Sequence, residues 1–130
     1  LHLKLDPSRA EPLYAQIQAQ IKYLLASGGL RAQDELPSVR ALAEGYLINP
    51  NTVVHAYSEL EREGLVYKKR GTGTFVSDEA AGMAAAEKQR IVARSLHGAI
   101  DEGRSLGLTD AQLRQAFDEQ LNHPDSRGEA

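Results

Sequence analysis

Cysteine and tryptophan are both absent from this chain of 130 residues, and there is one methionine. Without thiols there is no disulfide framework, no thiolate metal site and no thiol nucleophile. Long apolar runs are missing too. None approaches the roughly 20 residues that a membrane-spanning helix needs, and no cationic-then-apolar leader opens the chain, so the cytoplasm is the expected compartment and no membrane partner is expected. The four histidines, His2, His55, His97 and His123, are scattered and lack the HExxH spacing of a zinc site. His97 and Asp101 stand four apart, a spacing a metal can use, but a surface pair is the usual explanation. The Gly71-x-Gly73 pair lacks the strand-to-helix setting of a nucleotide loop. Neither an enzyme nor a metal or cofactor site is expected.

An excess of basic charge is also lacking. The net charge is −3, which argues weakly against nucleic acid until its distribution is read. Residues 1–78 hold nine Lys and Arg against nine Asp and Glu, whereas residues 79–130 hold six against nine, so the acidic excess lies in the C-terminal part. A nucleic-acid contact would then rest on a local basic patch that the bulk charge hides.

Hydrophobic residues make up 42% and charged residues 25%, values that place the chain with folded rather than disordered proteins. Its length suits one modest core, or a small domain plus a helical appendage, and leaves no room for a large catalytic domain. It begins with Leu1 rather than Met, so a few preceding residues are expected.

Leu1, Leu3 and Leu5 alternate with polar residues, as in a short strand or a docked arm. Pro12 suits the first turn of a helix in which Leu13, Ile17, Ile21, Leu24 and Leu25 recur at helical spacing until Gly28-Gly29. A second helix starts at Ser38, a good N-cap, and buries Val39, Leu42, Ala43 and Tyr46. A third starts at Asn49, with Pro50 where a missing N–H costs nothing, and carries the stripe Val53, Ala56, Tyr57 and Leu60 to Gly64. The few residues around Leu47 and Ile48 force the two helices to cross sharply, as in a helix-turn-helix. Leu65–Lys68 and Thr74–Ser77 read as strands of a hairpin turned by Lys69-Arg70-Gly71-Thr72-Gly73. A long helix is expected from about Ala80 to Arg104. A short one follows, with Thr109 and Gln112 at capping-box spacing and Leu108 and Leu113 at staple spacing. The fold class is mainly α with a small β-hairpin.

Helix, tight turn, helix and cationic hairpin in that order offer one rigid helix to a DNA major groove and a flexible loop to the adjoining backbone. Asn49, Asn51, Thr52 and His55 lie at the start of the third helix, where side chains and free amides can meet DNA. Asn49 reads as a cap first and a contact second. Arg40 can pair with a phosphate or a guanine edge, or simply with Glu44 four residues on. Lys68, Lys69 and Arg70 are successive cations beside Gly71 and Gly73, where backbone can approach a phosphate or enter a minor groove.

Taken together, Leu36-Pro37-Ser38-x-Arg40, Leu42-Ala43, Asn51-Thr52-Val53, Ala56-Tyr57, Leu60, Glu63-Gly64-Leu65 and Gly71-x-Gly73-Thr74-Phe75-Val76 resemble the winged helix-turn-helix domain of the GntR family of bacterial transcriptional regulators, over roughly residues 11–77. The resemblance implies dimers on inverted-repeat operators. The short helical remainder is similar to the YtrA-like branch, whose members commonly repress operons for membrane transporters. Many relatives have Ser-Arg where Asn49-Pro50 stands, and some have another arginine where Val54 stands. Readout is therefore expected from Arg40, Asn51, Thr52, His55, Arg70, Gly71, Thr72 and Gly73, and the full set of expected DNA contacts adds Ser38, Asn49, Lys68 and Lys69.

The expected organisation is a DNA-binding domain over residues 1–78, a dimerisation appendage over 79–122 and a flexible tail over 123–130. Ile91, Val92, Leu96, Ile100, Leu113 and Phe117 are expected to pack against a second copy, because such a helix pair has too little core of its own. Two rival readings stand beside a dimeric repressor of double-stranded DNA. One is a winged-helix docking module for another protein. The other is a sensor gated by a small molecule or a metal, although two helices are expected to leave little volume for a pocket of several hundred Å³. The identity of any effector is not legible.

Overall fold

The computed structural model describes residues 1–123. They form two compact units, Leu1–Arg90 and the residues from Ile91 on. The tail expected over 123–130 lies outside the described residues apart from His123.

In the first unit, residues 1–12 form an arm with no strand. The docked alternative is the one observed, and backbone hydrogen bonds explain why the alternation of leucines does not pair as a sheet. The Leu3 amide donates to the Tyr46 hydroxyl at 2.6 Å, and Lys4 exchanges two bonds of 2.7 Å with the side-chain amide of Gln20. Gln16, buried, accepts from the Asp6 amide at 2.9 Å and donates to the carbonyls of Asp6 and Glu11 at 2.9 and 2.8 Å. Every hydrogen-bonding group of that amide is used, which is what burying it requires.

Helix α1 (Leu13–Ser27) follows, with Pro12 as its N-cap rather than inside its first turn, and Gly28 ends it at φ 88°, a conformation glycine adopts without strain. Strand β1 (Glu35–Leu36) leads into α2 (Val39–Tyr46). The Ser38 hydroxyl accepts from the Ala41 amide at 3.0 Å, as a capping serine should. Three residues separate α2 from α3 (Pro50–Arg62). Leu47 makes the reversal at φ 56°, a region leucine rarely visits, while the Ile48 amide returns to the Ala43 carbonyl at 3.0 Å. Strands β2 (Val66–Lys69) and β3 (Gly73–Val76) form the hairpin, with Lys69 opposite Gly73.

The sheet has three antiparallel strands in the order β1-β3-β2, not two. Two residues of β1, with Leu36 opposite Thr74, are too short to show a period of two in sequence. Ile17, Ile21, Leu36, Leu42, Val53, Ala56, Tyr57, Leu60, Val66 and Val76 share one core with Leu3 from the arm. Tyr57 donates to the Pro37 carbonyl at 2.7 Å and so fastens α3 to the segment between β1 and α2. Burial pushes its hydroxyl well above the usual tyrosine range, so it remains a donor. Lys22 and Glu63, 2.9 Å apart, join α1 to the end of α3.

Helix α4 (Ala80–Ser105) begins in this unit, with Ala80 and Ala84 in its core. Within the second unit, the C-terminal part of α4 turns at Gly107, φ 89°, into α5 (Asp110–Asn122). The expected capping box is present. Gln112 donates its amide to the Thr109 hydroxyl at 3.2 Å, and the Thr109 amide donates back to the Gln112 side chain at 2.9 Å. Gly103 is buried here, and Leu113 packs so closely on it that a Cβ would collide with the leucine side chain. Leu96, Ile100, Leu113 and Phe117 line one groove of about 320 Å³, more volume than two helices were expected to leave. Of the six apolar residues assigned to an interface, Ile91 and Val92 are not in its lining, and Val92 is 55% exposed.

Candidate nucleic-acid interface

On α3 the buried stripe of Val53, Ala56, Tyr57 and Leu60 leaves Asn51, Val54, His55 and Ser58 exposed at helical spacing. This is a continuous outward face, and at 3.6 residues per turn Asn51 and His55 are only about 40° apart on it. Asn49 and Pro50 are exposed and Thr52 is half-buried, so the Asn-Pro-Asn-Thr corner lies at the surface of the first unit.

The free amides expected at this corner are not free. The Asn49 side chain accepts from the Asn51 amide at 2.8 Å, the Asn49 carbonyl accepts from the Thr52 amide at 3.0 Å, and Pro50 has no N–H. Asn49 is therefore a cap, and the face it opens presents side chains rather than backbone donors. Asn49→Ala is expected to cost about 1 kcal/mol of stability in a urea melt. A change under about 0.3 kcal/mol would show that the proline alone sets this terminus.

Arg40 on α2 is exposed, with its Nε 3.2 Å from the Glu44 carboxylate. The ion pair foreseen as the plainer alternative thus forms, yet an exposed pair at this spacing is worth only a few tenths of a kcal/mol. A phosphate can displace it. Ser38 is spent on its cap, although its residue remains exposed.

In the hairpin, Lys68, Lys69, Arg70, Gly71 and Thr72 are all exposed, and Gly73 is half-buried. Gly71 turns at φ 74° while the Thr72 amide bonds the Lys69 carbonyl at 2.9 Å. The ammonium of Lys69 lies 5.9 Å from the centre of the Phe75 ring, long for a cation–π contact, and leaves most of its charge to solvent. Beside Gly73 stands Glu35, whose Oε2 would be 2.6 Å from a Cβ there. That carboxylate offsets part of the hairpin's positive charge.

Three features escaped sequence reasoning. Glu35 reaches the hairpin only because β1 joins the sheet. Tyr14 of α1 stacks on His55, with ring centroids 3.9 Å apart and planes inclined by 21°. Leu47, read only as part of the turn, is 92% exposed. Helical spacing cannot reveal which side chain of another helix lies across from a given residue; only the packing of α1 on α3 does.

Two helices joined by a three-residue turn, the second with an open polar face, and a basic hairpin on the same core define a winged helix-turn-helix protein of the DNA-binding class. The chain belongs to the GntR family: residues 13–76 match the family described as bacterial regulatory proteins, gntR family. It is 37% identical over 113 residues to the HTH-type transcriptional repressor YtrA of Bacillus subtilis (strain 168), an alignment that takes in 87% of this chain and 87% of that protein. A crystal structure of a transcriptional regulator from Oenococcus oeni superposes with a TM-score of 0.74 at 32% identity, covering 90% of this chain and 97% of that one. The DBD of AraR, crystallised in complex with operator ORX1, gives a TM-score of 0.52 at 27% identity over 59% of this chain and 99% of its own. No helix among the described residues is long and apolar enough to cross a membrane.

Proposed function

We propose that this chain is a dimeric transcriptional repressor that binds an inverted-repeat operator ahead of an operon. Each α3 enters a major groove, and each hairpin holds the flanking backbone. The observation that carries the reading is the outward face of Asn51, Val54, His55 and Ser58 on a helix anchored by its opposite side. It is supported by the similarity to YtrA, a repressor, and by the AraR domain crystallised on its operator. Asn51, Thr52 and His55 take the base edges together with Arg40. Lys68, Lys69 and Arg70 take phosphates, with Gly71, Thr72 and Gly73 letting the backbone approach. Two-fold symmetry then calls for half-sites about one helical turn apart.

The test compares Arg40→Ala with Lys69→Ala on duplexes selected from random DNA. Arg40→Ala is expected to weaken the selected site by about 1–3 kcal/mol and to relax preference at one position. Lys69→Ala is expected to weaken all sequences alike and to reduce the salt slope by about 1. Unchanged binding in both variants would overturn the assignment.

The groove between α4 and α5 favours one further reading of the second unit, as a site for an apolar effector. Thermal stabilisation by a small apolar molecule at unchanged oligomeric state would support it over a dimer contact.

A further inference from the structure

His55 differs from the other proposed DNA contacts in being held by a second helix. Tyr14 covers one face of its imidazole, with ring centroids 3.9 Å apart, yet His55 remains exposed. Among the described residues neither nitrogen has a hydrogen-bond partner, and the Tyr14 hydroxyl has none either.

The stack belongs to a longer register. Tyr14 meets His55, and eight residues further along both helices Lys22 meets Glu63. Helices α1 and α3 therefore run side by side in the same direction over two turns, and the ring is fixed by more than its own contact. Glu59, one turn beyond His55, has its carboxyl held below the usual range by a hydrogen bond from Arg62, with Lys22 and His55 also contributing. It is engaged elsewhere and leaves the imidazole nitrogens unoccupied.

A lysine or arginine reaches a phosphate from many directions because its stem is flexible. A ring clamped by its face has a fixed plane, and both of its nitrogens are held in that plane. That suits a base edge, where donor and acceptor positions distinguish one base pair from another. We propose that Tyr14 is a positioning residue that orients His55 as a sequence-reading contact, so that specificity at one base pair of each half-site depends on a residue of α1 that does not itself touch DNA. The proposal rests on α3 being the DNA-reading helix.

The experiment measures the affinity ratio between a duplex selected from random DNA by the wild-type chain and a scrambled duplex, by fluorescence anisotropy. Tyr14→Phe removes only an unbonded hydroxyl and is expected to keep the ratio within about twofold. Tyr14→Leu removes the ring and is expected to lower the ratio about tenfold, a loss of about 1.4 kcal/mol of discrimination. In a His55→Ala background the Tyr14→Leu change is expected to have no further effect on the ratio, which a purely structural role of Tyr14 would not produce. An independent readout is the ring-current shift of the His55 ring protons by NMR, present in the wild type and in Tyr14→Phe.

The proposal is overturned if Tyr14→Leu leaves the ratio within twofold, if it weakens both duplexes equally, if its effect persists without His55, or if the wild type lacks the ring-current shift. Should the wild type fail to discriminate between any duplexes, the reading of α3 as the DNA-reading helix falls first, and the proposal with it.

Discussion

Leu96→Asp is expected to leave the chain monomeric in sedimentation velocity and to weaken binding to a palindromic duplex by about 10²–10⁴-fold, the factor that linking two half-site contacts supplies. Leu96 is 39% exposed and Phe117 47%, and both line the groove with Ile100 and Leu113. No residue of α5 is buried. A helical hairpin in that state gains little from its own packing, and covering its open face with a second copy is what would stabilise it. A carboxylate placed on that face would have to be desolvated in a dimer without a partner, at a cost of several kcal/mol. The separate winged unit should be untouched, so half-site binding by the monomer would survive with its weaker affinity. A dimer of unaltered size would place the interface elsewhere and leave the groove to another occupant.

The second large effect is expected from Leu60→Ala. Leu60 is fully buried, packed with Ile17, Ile21, Val53 and Val66 in the core of the first unit. Truncating such a side chain removes its transfer free energy and leaves a cavity, together about 2–5 kcal/mol. Total stabilities of about 5–15 kcal/mol make that a large fraction. Urea titration should show the loss, and operator binding should weaken with it, because the outward face of α3 is held in place by the packing of its inward one. Leu47→Ala is the control. That leucine is 92% exposed, so its removal should change stability by no more than about 0.5 kcal/mol. A loss below about 1 kcal/mol for Leu60→Ala would mean that the core collapses onto the gap.

The periodicity of Val53, Ala56, Tyr57 and Leu60, the caps at Ser38, Asn49 and Thr109, and the stop at Gly28 are local features, and each is found where spacing and residue type put it. Local signals are legible because a cap or an apolar stripe acts within a turn or two of its own helix. The arm was less legible. Alternating leucines suit a strand, but Gln16 and Gln20 on α1 take the backbone groups that a strand would have paired. Strand β1 was illegible, since two residues carry no period and their pairing with β3 spans almost forty positions of sequence.

Sequence by itself determined the order of the helices, the buried stripes of α1, α2 and α3, the reversal before Asn49 and the basic glycine turn, because these follow from propensity and spacing along one segment. Tertiary structure alone decided that Glu35 stands beside the basic hairpin and that Tyr14 clamps His55. These are meetings between segments far apart in the chain. The physical reason is that such neighbours are chosen by how α1, α3 and the sheet pack around their shared core, and a side chain's partner across that packing is set by the relative placement of two elements rather than by the residues on either side of it.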